Sequence, residues 1–219
     1  MPLPDISEYY RKEQNAAAEE KAWNEAKRYV KHAASVAKAL KLFGGRSVLE
    51  VACGSGWVPA MLPKNVAYTG VDKLSTFIEL ARGKNKDGDR TFVCGDLREV
   101  LPTLGSFDLV CSFATIKHFG LHEWSDIVRR LLEKAAAGVL ELPISDSDYD
   151  NGTEFHHIFV TKDHASRAIG AAGHEVVATE VFCEGIAVDK DAPGGKRPIT
   201  EVTYFTRRRA APAAQGTGA

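Results

Sequence analysis

The chain has 219 residues, 44% of them hydrophobic and 26% charged, with a formal net charge of −1. This is enough for one α/β domain with a sizeable core, and the near-neutral balance excludes a global field that would draw nucleic acid or a membrane surface. The N-terminal MPLPDISEYYRKEQN lacks a signal-type apolar core, and no apolar run approaches the length of a membrane span.

Residues 5–43 read as helix, because Trp23, Ala26, Val30, Ala33, Ala37 and Leu40 recur at steps of three and four between charged residues. Gly44-Gly45 ends it. Residues 1–45 are therefore expected to form a helical extension, a lid or a dimer element, with Tyr9 and Tyr10 as surface or core tyrosines. Strands and helices alternate from there. Ser47–Val51 is a first strand, and a short helix runs from about Trp57 to Leu62, where Pro59 is tolerable in the first turn. Val66–Val71 is a second strand ending at Asp72, and Ser75 is placed to cap a helix over Thr76–Arg82. RTFVCGD is a third strand ending at Asp96, and FDLVCSFA is a fourth. Glu123–Ala136 is amphipathic, and GVLELPI is a fifth strand.

The polar stretch SDSDYDNGTEFHH precedes a helix at about Lys162–Ala172, closed by Gly173. Strands at Glu175–Cys183 and Ile199–Thr206 have no helix between them, so they read as an antiparallel hairpin around a long loop, EGIAVDKDAPGGKRP. Residues 46–209 make one domain, and the small, featureless 210–219 is expected to be disordered. The cysteines Cys53, Cys94, Cys111 and Cys183 lie far apart without metal-ligand spacing. Three fall in apolar runs that suit a buried thiol, and a reducing, cytoplasmic compartment follows.

Alternation of this kind implies a parallel sheet with helices on both faces and a ligand at the carboxyl ends of its strands. There the first strand runs into Ala52-Cys53-Gly54-Ser55-Gly56. A dinucleotide fingerprint would need a third glycine where Pro59 stands, and Glu50 would face the pyrophosphate. No triphosphate-binding G-x-x-x-x-G-K-[ST] is present. A carboxylate beside the turn suits a cationic, phosphate-free ligand instead, and S-adenosylmethionine carries a sulfonium and an ammonium. Asp72 at the next strand end is placed for ribose hydroxyls, and Asp96 at the third for an adenine amino group, with Leu97 beside the ring. Each acid alone can be a helix cap; three at successive strand ends are a pattern.

On these residues the chain resembles the class I, seven-stranded S-adenosylmethionine-dependent methyltransferases. The matching segments are VLEVACGSG, YTGVDKLSTFIELAR, FVCGDL and FDLVCSFATIKHF. The resemblance spans roughly 46–206, with its specific motifs in 48–119. It implies a three-layer αβα sandwich whose mostly parallel seven-stranded sheet ends in an antiparallel hairpin strand. It further implies that Glu50, Ala52, Gly54 and Gly56 line the methionine part, that Asp72 meets the ribose, and that Lys73 is among the cofactor-binding residues. Asp96 and Leu97 would hold the adenine, with Ser112, Phe113 and Ala114 as the floor. Ala52 departs from the glycine common in the family.

For the methyl acceptor, His118 just past the fourth strand is a candidate base, and His156 or His157 would touch substrate from the polar stretch. Asp146, Asp148, Asp150 and Glu154 with those histidines lack helix- or strand-fixed ligand spacing, so no metal site is expected and Lys117 is expected to face solvent. Ser112-Phe113-Ala114-Thr115 replaces the N/D-P-P-Y/F of amino-methylating DNA enzymes, and Arg207-Arg208-Arg209 is the one strong basic cluster. The expectation is methyl transfer to an oxygen or nitrogen of a small molecule, with no membrane or nucleic-acid partner and room for a homodimer. A protein or RNA methyltransferase and a non-catalytic cofactor-binding protein are the alternatives.

Overall fold

The computed structural model describes residues 21, 27–151, 157–189 and 191–210. Most of the expected helix before residue 27, with Tyr9, Tyr10, Trp23 and Ala26, lies outside these, as do Glu154, His156 and residues 211–219.

Helix α1 (Arg28–Phe43) buries His32, Ala33, Val36 and Ala39 along one stripe. It stops at Gly44, whose φ of 69° lets its N–H reach Leu40 O at 3.0 Å. Strand β1 (Ser47–Val51), helix α2 (Trp57–Met61), β2 (Ala67–Asp72), α3 (Ser75–Lys84), β3 (Arg90–Cys94), α4 (Leu97–Val100) and β4 (Phe107–Ser112) follow. Then come α5 (Leu121–Leu132), β5 (Ala135–Ile144), β6 (Tyr149–Asp150), β7 (Ile158–Phe159), α6 (Lys162–Ala171), β8 (His174–Val188) and β9 (Lys196–Arg208). One seven-stranded sheet has the order β3-β2-β1-β4-β5-β9-β8. Its first five strands are parallel, and β9 is antiparallel to both β5 and β8. The order reverses between β1 and β4, the place where such sheets open a crevice at their carboxyl ends.

Strand alternation divides the core into two layers. Leu49, Val51, Val110, Leu140 and Leu142 pack with Trp124 and Leu131 under α5 and α6. Val48, Tyr68, Leu109, Cys111 and Val139 pack on the other face with Val36 and Ile78, under α1 and α3. Trp124 is fully buried, so truncating it to alanine removes roughly 3–5 kcal/mol of packing. No helix among the described residues is long and apolar enough to cross a membrane.

Several boundaries differ from the sequence reading, each for a tertiary reason. Helix α5 ends at Leu132, and Ala135, expected to be helical, pairs instead with Phe107 in the sheet. The ladder overrides alanine's helical preference. Ser75 is the first helical residue, not a cap; Leu74 precedes it and donates its N–H to Asp72 Oδ1 at 3.0 Å. The expected long loop between the last two strands is mostly strand: pairing continues to Val188 and Lys196, and a 3₁₀ turn at Pro193–Gly195 closes it. Of the four free thiols Cys53 and Cys111 are buried, Cys183 is half-buried and Cys94 is exposed.

Candidate active site

The loop after β1 is built from backbone. Ala52 and Gly54 both have left-handed φ, 53° and 52°, and the N–H groups of the turn are held within the protein, Cys53 N–H by Val71 O at 3.0 Å and Gly56 N–H by Cys53 O at 3.1 Å. A Cβ on Gly54 would meet nothing within 4 Å, so this stretch of backbone faces open space. Gly56 is different: a Cβ there would lie 2.8 Å from Ala81 Cβ and 2.7 Å from Asn85 Nδ2. Its missing side chain serves packing on α3, and Asn85 Nδ2 donates to Gly56 O and Ala81 O, both at 2.9 Å.

Two acids lie beneath this loop. Asp72 accepts Gly54 N–H at 2.9 Å and Leu74 N–H at 3.0 Å, so it ties the glycine turn to the end of β2. A carboxylate has roughly four lone-pair sites, which leaves capacity for a ligand. Burial raises its pKa while the backbone donors act against that rise. Glu50 sits deeper, 4% exposed, and accepts the Tyr68 hydroxyl. Burial pushes its pKa up to about 8; Tyr68 opposes the rise and the Asp72 charge adds to it. None of the groups acting on either acid is a cation.

Asp96 does cap a helix, accepting Arg98 N–H at 2.9 Å at the start of α4, and it also pairs with Lys73 at 3.8 Å. Leu97 beside it is partly buried against the α5 core. Ser112 ends β4 fully buried, its Oγ without a hydrogen-bond partner among the described residues. Phe113 is buried and Ala114 has a left-handed φ of 52°, so the chain turns sharply at the end of β4.

Across this turn lies a second group of side chains, drawn from α1, β5, β8, β9 and the segment after β4. His32 Nε2 meets Glu141 Oε2 at 2.9 Å, and both side chains are essentially inaccessible. The His32 ring stacks on Phe113 at 4.2 Å and on Phe182 at 5.0 Å. Arg28 donates to Glu201 Oε2, Lys117 pairs with Glu201 Oε1 at 3.4 Å, and Cys183 Sγ donates to Glu201 Oε2 at 2.9 Å. Burial would raise the Glu201 pKa, but Lys117, Cys183 and Arg28 outweigh it and hold it at about 2. Lys117 is thus an ion-pair partner and not a solvent-facing lysine, its side chain only 15% exposed.

The histidines expected from the sequence divide. His118 donates its N–H to Thr115 O at 2.9 Å, and its ring meets that of His157 edge-on at 4.9 Å. His157 N–H donates to Asn151 Oδ1 at 2.9 Å, and burial, aided by Lys117, lowers its pKa to about 4. His156 lies outside the described residues. The acids of the polar stretch are engaged in structure: Asp146 pairs with Arg197, and Asp148 accepts Thr161 N–H and His164 Nδ1, both at 2.6 Å. His164 Nε2 in turn meets Ser125 Oγ at 2.7 Å, which clips this stretch to α5 and α6. Among the described residues no three His, Cys, Asp or Glu gather as metal ligands.

Arg28, His32, Glu141, Cys183 and Glu201 carry no local motif that sequence reading could use. The available signal was charge in apolar strands: Glu141 in GVLELPI and Glu201 before VTYF interrupt runs that are otherwise apolar.

The donor crevice suits a phosphate-free cationic ligand: among the described residues it offers open space beside Gly54, two buried carboxylates with no cation acting on them, and a Ser112 hydroxyl without a partner. The sheet order and this loop define the class I methyltransferase fold, whose cofactor is S-adenosylmethionine. Residues 48–138 match the family model described as a methyltransferase domain. That match covers less than half of the chain, and the fold around it is that of the class I, S-adenosylmethionine-dependent methyltransferases. The chain is similar to the malonyl-[acyl-carrier protein] O-methyltransferase of Priestia megaterium, 31% identical over 128 residues, covering 57% of this chain and 44% of that protein's length. The fold is shared with the N-terminal domain of EvdMO1 solved with S-adenosylhomocysteine (TM-score 0.62, 15% identity, covering 83% of this chain and 81% of that one). It is also shared with the magnesium protoporphyrin IX methyltransferase of Synechocystis with S-adenosylmethionine bound (TM-score 0.59, 15% identity, 82% and 79%).

Proposed function

We propose that the chain transfers a methyl group to an oxygen or nitrogen of a small-molecule acceptor. The observation that carries this is the second side-chain group: a buried polar wall assembled from five separate parts of the chain and roofed by α1. A closed wall of this kind fits a compact molecule better than a polymer lying on an open, basic groove. The described part of residues 1–45 then serves as the roof of the acceptor pocket.

On the donor side Gly54 backbone, Glu50 and Ser112 would meet the methionine part of S-adenosylmethionine, with Ala52 and Gly56 holding the loop's shape. Asp72 and Lys73 would meet the ribose, and Asp96 with Leu97 the adenine. When bound, the cofactor supplies a methyl group already electrophilic on sulfonium. What the protein contributes is alignment and, for a protonated nucleophile, a proton acceptor. Phe113 and Ala114 would form the floor between the two halves, and His118 with His157, in edge-on ring contact, would approach the acceptor from the segments after β4 and before β7. A histidine with a pKa near 4 stays neutral at pH 7 and is a weak base, so His157 is better suited to hydrogen bonding than to proton removal.

Incubation with methyl-labelled cofactor and a metabolite extract, followed by mass spectrometry, tests the reading; label in small molecules is the expected outcome. The relative's name supports one second reading, an acceptor carried on a protein. Label recovered on acyl-carrier protein and absent from free metabolites would favour it.

A further inference from the structure

Glu141 is the buried acid of the acceptor wall whose hydrogen bonding is incomplete. In the β4–β5 ladder Ser112 pairs with Leu140, which places Glu141 one step on, level with Phe113 at the floor. Its Oε2 meets His32. Its Oε1 is equally buried and accepts no hydrogen bond among the described residues. The Arg28 guanidinium lies 3.8 Å away, close enough to hold the charge and too far to donate. Glu201, a few residues along the same face, shows the contrast: Arg28, Cys183 and Lys117 all meet its two oxygens. An unmet carboxylate oxygen inside a protein is costly, and it calls for a bound water or ion, or for a ligand or reaction that uses it.

The surroundings say what kind of group it awaits. Within the wall the charges of Arg28 and Lys117 already balance those of Glu141 and Glu201, and the one further cation near it among the described residues, Lys31 over the Phe182 ring, is exposed to solvent. Phe113 and Phe182, stacked on either side of the His32 ring, add apolar surface next to the carboxylate. A carboxylate acceptor would set a second anion beside Glu141 in this dry setting, and it would bring no proton to give. A hydroxyl or amine brings the missing donor.

We propose that Glu141 Oε1 accepts the hydrogen of the methyl acceptor's O–H or N–H group, and that the acceptor is therefore a hydroxyl or amine compound and not a carboxylic acid. The proposal rests on the methyl-transfer reading above. As the oxygen–carbon or nitrogen–carbon bond forms, the carbon–sulfur bond breaks with its electron pair on sulfur, and the nucleophile's proton passes to Oε1. His32 acts as a positioning residue, holding Oε2 so that Oε1 faces the nucleophile.

Binding of probe molecules tests this without knowledge of the true acceptor. Saturation-transfer NMR on the full chain, saturated with S-adenosylhomocysteine at neutral pH, would compare benzyl alcohol, aniline and benzoate. Both neutral-nucleophile probes are expected to bind about tenfold or more tightly than benzoate. Glu141→Gln should erase that preference while calorimetry shows unchanged S-adenosylhomocysteine affinity. The ranking by the unaltered protein stands even if the variant does not fold. With S-adenosylhomocysteine bound, tighter or equal binding of benzoate, or no binding of either other probe, overturns the assignment of Glu141 alone. No S-adenosylhomocysteine binding at all overturns the methyl-transfer reading and this proposal with it.

Discussion

Glu50 and Glu201 are both glutamates on strands of one sheet, both under a tenth exposed, yet their acidities move in opposite directions. Glu50, below the donor loop, has only a phenol as partner, and burial raises its pKa to about 8. Glu201, in the acceptor wall, is met by Lys117, Cys183 and Arg28, and is held at about 2 despite burial. The difference is the presence or absence of a cation, since desolvation acts on both. The donor half is left with unbalanced acid, fit for a ligand that brings positive charge. The proposed acceptor half is neutralised from within, fit for a ligand that brings none.

Removing one side of that balance should have the largest effect. Glu201→Gln leaves the half-buried Arg28 and Lys117 without this carboxylate, and denaturant unfolding should show a loss of about 3 kcal/mol. The sign of the pH dependence follows from a folded pKa below the unfolded 4.5. The stabilisation is present above pH 4.5 and lost as pH falls toward 2 in the unaltered protein, and the variant should lack that slope. Asp72→Ala frees both the Gly54 and the Leu74 N–H groups and loosens the donor loop. S-adenosylhomocysteine affinity by calorimetry should fall about 100-fold, with little change in acceptor-side stability.

Glu50→Gln should do the reverse of the Glu201 change in the absence of ligand. A folded pKa of about 8 against 4.5 unfolded means that the folded state holds an extra proton between these values, so stability declines as pH rises through that window. The amide removes the decline, and at pH 8 the variant should be the more stable protein while binding S-adenosylhomocysteine more weakly. A loss of stability at pH 8 would contradict the contrast between the two glutamates. The smallest effect belongs to the clip outside both halves. Ser125→Ala breaks one hydrogen bond to His164 and should cost about 0.5–1 kcal/mol. Faster hydrogen exchange around Asp148 and Thr161, with unchanged cofactor affinity, would be its signature.

The proposed donor half is the part that sequence could point to, because it is made of neighbours. The glycine loop follows β1 directly, and Asp72 and Asp96 sit at or just past strand ends that periodicity reveals. Even there, function and packing were tangled. Gly56 belongs to the contact with α3, and Asp96 is a cap as well as a candidate ligand. The alternation of strands and helices likewise determined the doubly covered sheet, because local hydrophobic periods and the need to bury two faces leave few other arrangements.

The acceptor half was decided by tertiary structure alone. Arg28 and Glu201 are separated by 173 positions, and His32 and Glu141 by 109, so no local pattern records either pair. The same holds for the length of the β8–β9 hairpin, which ladder pairing extends through residues that read as loop. Sequence by itself determined that a cationic methyl donor has a seat, because backbone turns and strand-end acids are local chemistry. Which buried acids would find a cation, and so what charge the acceptor pocket tolerates, depended on elements brought together only by folding.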